Sequence, residues 1–238
     1  MVERKTGKQL LHYARAEGRD LLEHEALRLL EEYLFTVPPF QILPHGEALS
    51  AESLAGLPYP LVAKAVSSQI VHKTEAGAVR LDIKTETELV AAIREMEAAI
   101  RERVPGAEIE GWMVRPYLPE GTEIILGSIV DPQFGPAVMV GIGGVFTEAY
   151  RDVAFRLAPL SLLDAEEMIE ELKGQMLLDG PRGQNPVPRG KLAALLVQLG
   201  TLMQENPDIS ECDLNPVLCC GETLVVADAR VRVSRVEG

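Results

Sequence analysis

The stretch that decides the fold is Ile209–Val233, which reads ISECDLNPVLCCGETLVVADARVRV. Its apolar and β-branched residues predict two strands, Ile209–Cys219 and Thr223–Val233. Gly221-Glu222 between them suits a two-residue type II′ turn, because glycine takes the first position of that turn at little conformational cost. The sequence therefore predicts a β-hairpin near the carboxyl end of the chain.

The turn also fixes which residues of the hairpin face each other. The Gly-Glu turn pairs Cys220 with Thr223, and every further pair keeps the same sum of residue numbers. Asn215 is then directly opposite Asp228. Because side chains alternate along a strand, Asp213 shares the face of Asn215 and lies diagonally from Asp228, roughly 7–8 Å away.

These three oxygen-bearing side chains are the kind of ligand that Mg²⁺ prefers, with phosphates and water completing its coordination. The residues alone leave two other interpretations open. The face is compatible with a solvated polar surface, and Arg230 and Arg232 on the same face offer ordinary ion pairs.

The rest of the chain mixes strands and helices, which is typical of an α+β or mixed α/β fold with two lobes. We predict an N-terminal arm at 1–19, a first subdomain at 20–108 and a second at 109–238. Glycine and proline in residues 174–189 predict a loop. Helices are predicted at 20–35, 85–103, 164–173 and 191–204, and further strands at 61–66, 78–83, 108–118, 123–130, 137–140 and 152–157.

Two of these helices have recognisable starts. Asp20 can cap the first, and Thr85 with Glu88 predicts a cap for the second. Leu89, Met96 and Ile100 share one face of the second helix, which is expected to be buried.

Composition excludes several classes of protein. The 238 residues carry a net charge of −13, which repels nucleic acid and anionic membranes. No apolar run approaches the ~18 residues that a membrane-spanning helix needs. The chain has three cysteines, Cys212, Cys219 and Cys220. This small, odd number argues against a disulfide framework. We therefore expect a cytoplasmic protein with neither nucleic-acid nor membrane partners.

Two features favour binding of an anion. Lys64 lies inside the apolar strand Leu61–Val66, where a charge is costly to bury unless it meets an anion such as phosphate. Gly141-Ile142-Gly143-Gly144 follows a predicted strand, and glycines let main-chain N–H groups approach an anion closely. An exposed strand face and a tight turn are the respective alternatives.

His72 lies in the polar loop Ile70–Gly77, between two predicted strands and beside Lys73. Neutral imidazole is a competent nucleophile near pH 7, and the adjacent lysine would favour an anionic group in transfer. The residues alone leave an ordinary surface histidine as the alternative.

Taken together, these segments resemble the β subunit of ADP-forming acetyl-CoA (acyl-CoA) synthetases and, more distantly, the β subunit of succinyl-CoA synthetase. The resemblance runs in the family's order over about residues 20–233. Its segments are Pro60–Ser67, Ile70–Gly77, Asp131–Pro136, Gly141–Phe146, Asp152–Pro159, Arg182–Gln184 and Asp213–Pro216.

The resemblance implies an ATP-grasp fold that holds a nucleotide between two lobes. It implies an acid–CoA ligase with ATP or ADP and Mg²⁺ as cofactors. Its partner would be a CoA-binding α subunit with a second phosphohistidine, so that a hetero-oligomer is expected. The α subunit would pass its phosphoryl group to the histidine of this chain, which would transfer it to ADP.

The resemblance also implies roles for residues. Mg²⁺ would be bound by Asn215 and Asp228, His72 would be the family's second phosphohistidine, and Asp213 would steady it. The implied nucleotide-binding positions are Lys64, Val114, Glu123, Gly143 and Gly144.

Two departures from the family pattern bear on function. Ala78 follows Gly77 where the family usually has a second glycine, and Pro116 stands at an acidic position of the segment that contacts nucleotide. Two alternatives therefore remain: another ATP-grasp carboxylate ligase that forms an acyl phosphate directly, and an inactive nucleotide-sensing module.

Overall fold

A computed structural model describes residues 6–47, 54, 56–70, 72–119, 121–143, 152–180 and 185–234. The helices are α1 (Gly7–Ala16), α2 (Glu23–Glu32), α3 (Glu86–Arg103), α4 (Leu162–Glu170) and α5 (Arg189–Glu205), with a short 3-10 helix at Gln175–Asp179. The strands are β1 (Gln41–Pro44), β2 (Leu61–Val66), β3 (Val79–Ile83), β4 (Gly111–Pro116), β5 (Glu123–Asp131), β6 (Gly135–Ile142), β7 (Val153–Leu157), β8 (Ile209–Cys220), β9 (Thr223–Val226) and β10 (Ala229–Val233).

The chain forms two compact units. The inserted unit is Pro38–Leu118, and the split unit combines Met1–Val37 with Pro119–Gly238. This division differs from the predicted one at 20–108 and 109–238, because the first two helices belong with the second half of the chain. The main-chain N–H of Leu21 donates to the carbonyl of Val231 at 3.2 Å, so the segment before α2 is attached to β10.

The inserted unit is a four-stranded antiparallel sheet in the order β1-β4-β2-β3, covered on one face by α3. The hydroxyl of Thr85 caps α3 by accepting from the N–H of Glu88 at 3.1 Å, as the sequence predicts. Leu89, Met96 and Ile100 of α3 are buried against the sheet. Apolar side chains at this helical spacing create the main core of this unit.

The split unit is built on a second sheet in the order β10-β8-β5-β6-β7, with β9 also paired to β8. α5 packs on β6 and β5, and α4 packs on α5 and β7. The buried carboxylate of Asp152 accepts from the N–H groups of Lys173 and Gly174, at 2.9 and 2.7 Å. It fixes the start of the predicted loop, which contains the 3-10 helix as well.

The amino-terminal prediction is wrong in two respects. Residues 7–16 form a helix capped by Thr6, with Leu10, Leu11 and Ala14 buried, rather than an exposed arm. Asp20 does not cap α2, which begins at Glu23; its carboxylate accepts instead from the N–H of Val233 at 3.1 Å. None of the helices in the described part of the chain is both long and apolar enough to cross a bilayer.

Candidate functional site

The register of the carboxyl-terminal hairpin is as predicted. Cys220 pairs with Thr223, and further along Asp213 pairs with Arg230. Both pairs have residue numbers that sum to 443, the value set by the Gly-Glu turn. Turn chemistry and alternation were therefore sufficient to place this part of the molecule.

Asn215 and Asp228 lie opposite each other at an interruption of this hairpin. β9 ends at Val226 and β10 begins at Ala229, and the two residues between them are outside the regular strands. The N–H of Asn215 donates to the carbonyl of Asp228 at 3.2 Å. Asn215 is exposed and Asp228 is half-buried. Both side chains are therefore accessible to solvent at the same position along the hairpin.

Asp213 stands two residues away, in an environment that disfavours its charge. Partial burial, followed by the nearby carboxylates of Glu211 and Asp228, raises the pKa of Asp213, while Arg230 opposes the shift. Carboxylates that repel each other in this way bind a divalent cation favourably, since the cation relieves the repulsion.

The donor set fits Mg²⁺ better than a transition metal. Asn215 and Asp228 offer hard oxygen ligands, and Mg²⁺ is commonly held by one or two carboxylates together with substrate phosphates. Within the described ranges, the structure contains no group of three or more His, Cys, Asp or Glu residues arranged to hold a metal ion. A site of this kind would need the nucleotide to complete it.

Lys64 is buried on β2 of the inserted unit, with 5% of its surface exposed. It pairs with Met113 on β4, and Val62 pairs with Arg115. Alternation therefore places Lys64 and Arg115 on one face of the sheet, while Ala63 and Val114 face the core.

Arg115 is a candidate that the sequence analysis missed. It is buried like Lys64, and its Nη1 donates to the carbonyl of Pro116 at 3.0 Å. Predicting that β2 pairs with β4 would have identified Arg115, because this pairing puts Lys64 and Arg115 on one face of the sheet. By contrast, Val114 is fully buried in the apolar core, so its predicted nucleotide contact would have to come from the main chain.

Glu123 and Gly143 meet at the ends of β5 and β6. The N–H of Gly143 donates to the carbonyl of Glu123 at 2.7 Å. A Cβ on Gly143 would lie 2.6 Å from the Cβ of Glu123, so only glycine fits there. The exposed Glu123 carboxylate is available to a ligand. Gly144, the other glycine predicted to bind nucleotide, lies outside the described residues.

His72 is exposed in a loop whose main-chain hydrogen bonds are local. Its carbonyl accepts from the N–H of Ala76 at 3.0 Å, and that of Lys73 accepts from Ala78 at 2.7 Å. The loop is attached to α3 through Arg103, whose Nη1 donates to the carbonyl of Glu75 at 3.1 Å. His72 is therefore exposed to solvent and lies outside the regular strands.

The structure explains the departure at Ala78. Its methyl group is fully buried in the core of the inserted unit. Its main chain is used twice, because the carbonyl also accepts from the N–H of Ala65 at 2.9 Å. The extra methyl therefore fills the core and does not crowd the exposed side of the loop.

A family model described as an ATP-grasp domain matches residues 13–233. The chain is 41% identical over 225 residues to the β subunit of the ADP-forming acetate–CoA ligase I of Pyrococcus furiosus, covering 94% of this chain and 96% of that one. It is 36% identical to the ADP-forming acetate–CoA ligase I of Archaeoglobus fulgidus, covering 97% of this chain but 33% of that longer one.

Solved structures of the dinucleotide forming acetyl-coenzyme A synthetase 1 of Ca. Korarchaeum cryptofilum are similar as well. The complex with coenzyme A and Ca-AMPCP superposes with a TM-score of 0.89 at 41% identity, over 96% of this chain and 100% of that one. Other structures of that protein contain a phosphorylated phosphohistidine segment or Mg-AMPPCP. The chain therefore belongs to the ATP-grasp family, in the branch formed by the β subunits of ADP-forming acetate–CoA ligases.

Proposed function

We propose that this chain is the nucleotide-handling subunit of an ADP-forming acyl-CoA synthetase, with His72 as its phosphoryl carrier. The observation that carries the proposal is the position of His72, exposed on a loop with local hydrogen bonds. Its relative in Ca. Korarchaeum cryptofilum has a phosphohistidine segment, which supports the same assignment.

The transfer itself requires little from the protein beyond position and charge. A ring nitrogen of neutral His72 attacks the phosphoryl group brought by the partner, forming an N–P bond as the partner's bond breaks. The phosphoryl group then passes to a terminal oxygen of ADP, and imidazole is the leaving group. Since the bonds exchanged are close in energy, catalysis is mainly alignment and neutralisation of charge.

The family resemblance assigns the groups that would supply that neutralisation. Lys64 would contact the nucleotide phosphates, and Asn215 and Asp228 would hold Mg²⁺, which offsets phosphate charge when bound. Glu123 and Gly143 would contact the nucleotide as well. Asp213 would take the role of the family's acidic residue that steadies the phosphohistidine.

The partner in this proposal is a CoA-binding α subunit. The chain matches almost the whole of a separate β subunit but only a third of a single-chain ligase. We take the partner to be a separate polypeptide, as the β-subunit name of the first of these relatives implies, so that the two would form a hetero-oligomer in the cytoplasm. The acyl group would be selected by that partner.

The proposal is tested by labelling. Incubation of the chain with Mg–ATP carrying a γ-phosphate label is expected to give a phosphoprotein that is labile in acid and stable in base, as N–P bonds are. His72→Asn should reduce labelling to background. His12→Asn, which changes another exposed histidine, is the matched control and should label like the wild type. Equal labelling of His72→Asn and the wild type would contradict the carrier role.

A further inference from the structure

The sheet of the split unit has a face that carries exposed apolar side chains. Ile129 on β5 and Phe155 and Leu157 on β7 are 51%, 53% and 50% exposed. Phe134, in the turn between β5 and β6, is 66% exposed. These four residues form what we call the apolar patch. Contiguous apolar surfaces of this kind are uncommon on proteins that act alone.

The strand register shows that the patch is continuous across the sheet. Ile129 pairs with Ala137, which pairs with Leu157. Gly127 pairs with Met139, which pairs with Phe155. Paired residues in an antiparallel sheet point to the same face, so the exposed side chains of β5 and β7 lie together. The opposite face, including Val138, packs on α5.

The same face continues directly into the candidate site. On β8, Asp213 pairs with Gly127, and Glu211 pairs with Ile129. Two rows therefore cross the sheet from β10 to β7. Each begins at an arginine on β10, passes through a carboxylate on β8 and ends at an exposed apolar side chain on β7. The patch is an extension of the surface that carries Asp213.

Part of the patch is presented rigidly. The carboxylate of Asp131 accepts from the N–H groups of Gln133 and Phe134, at 2.8 and 3.0 Å. Gly135 completes the turn with a φ of 81°, which favours glycine. This turn belongs to the Asp131–Pro136 motif, and nothing in phosphoryl transfer accounts for fixing an exposed phenylalanine there.

We propose that the apolar patch is the docking surface for the CoA-binding α subunit, an inference that rests on the proposed function. Permanent interfaces are the more apolar ones, so an apolar patch fits a partner that stays bound between phosphoryl transfers. In the Archaeoglobus fulgidus relative, the matching third belongs to one longer chain, so permanent contact with the rest is expected.

The chemistry of the patch also describes the partner's surface. The patch residues are uncharged, Asp131 borders them, and the whole chain has a net charge of −13. Glu211, at the β8 border, is already paired with Arg232 at 3.1 Å. The matching surface is therefore apolar at its centre, with lysine or arginine at the margin that meets Asp131. Such complementary charge would speed association without adding much affinity.

The test is association of the co-expressed complex. The chain is expressed with the CoA-binding subunit from its own genome, and the dissociation constant is measured by sedimentation velocity. Phe155→Ser with Leu157→Ser should weaken the complex about tenfold or more, as central apolar contacts do. Leu81→Ser with Met176→Ser, which changes two exposed apolar residues outside the patch, should leave the constant within about twofold of the wild type.

Two further measurements make the result decisive. Thermal midpoints of the variants report whether each folds, and Ile129→Ser offers a second way to disrupt the patch. Labelling of His72 by Mg–ATP in the isolated chain should be unchanged, because it does not need the partner. Loss of labelling in every sample would defeat the proposed function, but the docking result would stand apart from it.

The docking proposal is overturned by any of three results. In the first, the patch variants bind the CoA-binding subunit as tightly as the wild type does. In the second, the wild type forms no complex. In the third, the substitutions cause a homodimer of this chain to dissociate while the mixed complex persists. The last result would identify β7, the edge strand of the described sheet, as a contact between two copies.

Discussion

The carboxyl-terminal hairpin and the histidine loop differ in how their backbones are held in place. In the hairpin, Asp213, Asn215 and Asp228 are held by strand pairing along both sides of the interruption. In the loop, the described main-chain hydrogen bonds made by residues 72–77 join residues no more than five positions apart, and Arg103 of α3 adds a bond to the carbonyl of Glu75. The first arrangement fixes oxygen ligands at set separations, whereas the second can change without disturbing a sheet.

Binding a metal and carrying a phosphoryl group place different demands on the backbone. A metal site loses affinity when its ligands move, so a paired ladder is a suitable support. A group that must meet two partners gains nothing from such a support. The chain therefore separates the two tasks between its units, with the metal-binding candidates on the split unit and the histidine on the inserted one.

The largest expected effect comes from removing a ligand on the hairpin. Asp228→Ala should weaken the affinity for Mg–ADP by about 100-fold, since one carboxylate of a sparse site is lost. His72→Ala should change the same affinity by less than about twofold, because the proposed role of His72 is to carry the phosphoryl group and not to bind the metal. Calorimetric titration measures both, and a large effect of His72→Ala would remove the distinction between the two regions.

A second prediction compares one glycine from each region. Gly77 in the loop and Gly221 in the hairpin turn have φ values of 69° and 65°. A Cβ on Gly77 would lie 2.9 Å from the Cβ of Ala99, whereas the space around Gly221 is open. Gly77→Ala should lower the free energy of unfolding by about 2–3 kcal/mol, from backbone strain plus crowding, and Gly221→Ala by only about 1 kcal/mol.

Urea denaturation of both variants checks this pair. The two substitutions share the same backbone strain, so their difference isolates the crowding against α3. Equal losses of stability would mean that the histidine loop yields to the extra methyl group, and that its attachment to the core is looser than its contacts indicate.

The smallest effect concerns Asp213 and pH. Burial and neighbouring carboxylates raise the pKa of Asp213 in the folded chain. The folded chain is therefore most stable, as far as this group is concerned, when Asp213 is protonated. The free energy of unfolding falls as pH rises from the ordinary aspartate range near ~4 through the raised pKa. Asp213→Asn should stabilise the Mg²⁺-free chain at pH 7, by about 0.5 kcal/mol or less because the side chain is still partly solvated.

Thermal midpoints across a pH series test the sign of that effect. The gain from Asp213→Asn should shrink as pH falls through the raised pKa and vanish below about 4, where the wild-type carboxyl is protonated in both folded and unfolded chains. Added Mg²⁺ should reverse the order at pH 7, stabilising the wild type more than the variant. A gain that grows on acidification would mean that Asp213 favours its charged form.

Prediction from sequence worked where local chemistry decides the structure. A Gly-Glu turn fixed the register of β8 with β9 and β10, and helical spacing placed Leu89, Met96 and Ile100 in the core. Turn geometry and periodicity act over a few residues, so they can be read without knowing the tertiary structure. The ATP-grasp fold followed from a set of motifs in order, and the family match confirms it.

The failures were those that depend on distant contacts. Nothing within residues 7–16 indicates that this helix packs on β10, because that strand lies near the other end of the chain. Arg115 was missed since its face is set by pairing with β2, about fifty positions earlier. Burial of the Ala78 methyl depends likewise on α3. The functional roles of His72, Lys64 and the hairpin residues stay predictions until they are measured.

The chain enters the inserted unit after Thr36 and leaves it before Thr122, and both of these segments are attached to the same hairpin. This attachment has a consequence for recombination of the gene. The N–H of Val226 donates to the carbonyl of Thr36 at 2.9 Å, and that of Cys219 donates to the carbonyl of Thr122 at 3.0 Å. The segments that lead into and out of the inserted unit are therefore both tied to the β8–β9 hairpin. The coding sequence of the inserted unit, which contains His72, is one uninterrupted segment, whereas that of the split unit, which contains Asn215 and Asp228, lies on both sides of it. Recombination at these two points would exchange the inserted unit while leaving the described strand pairs of the split unit intact.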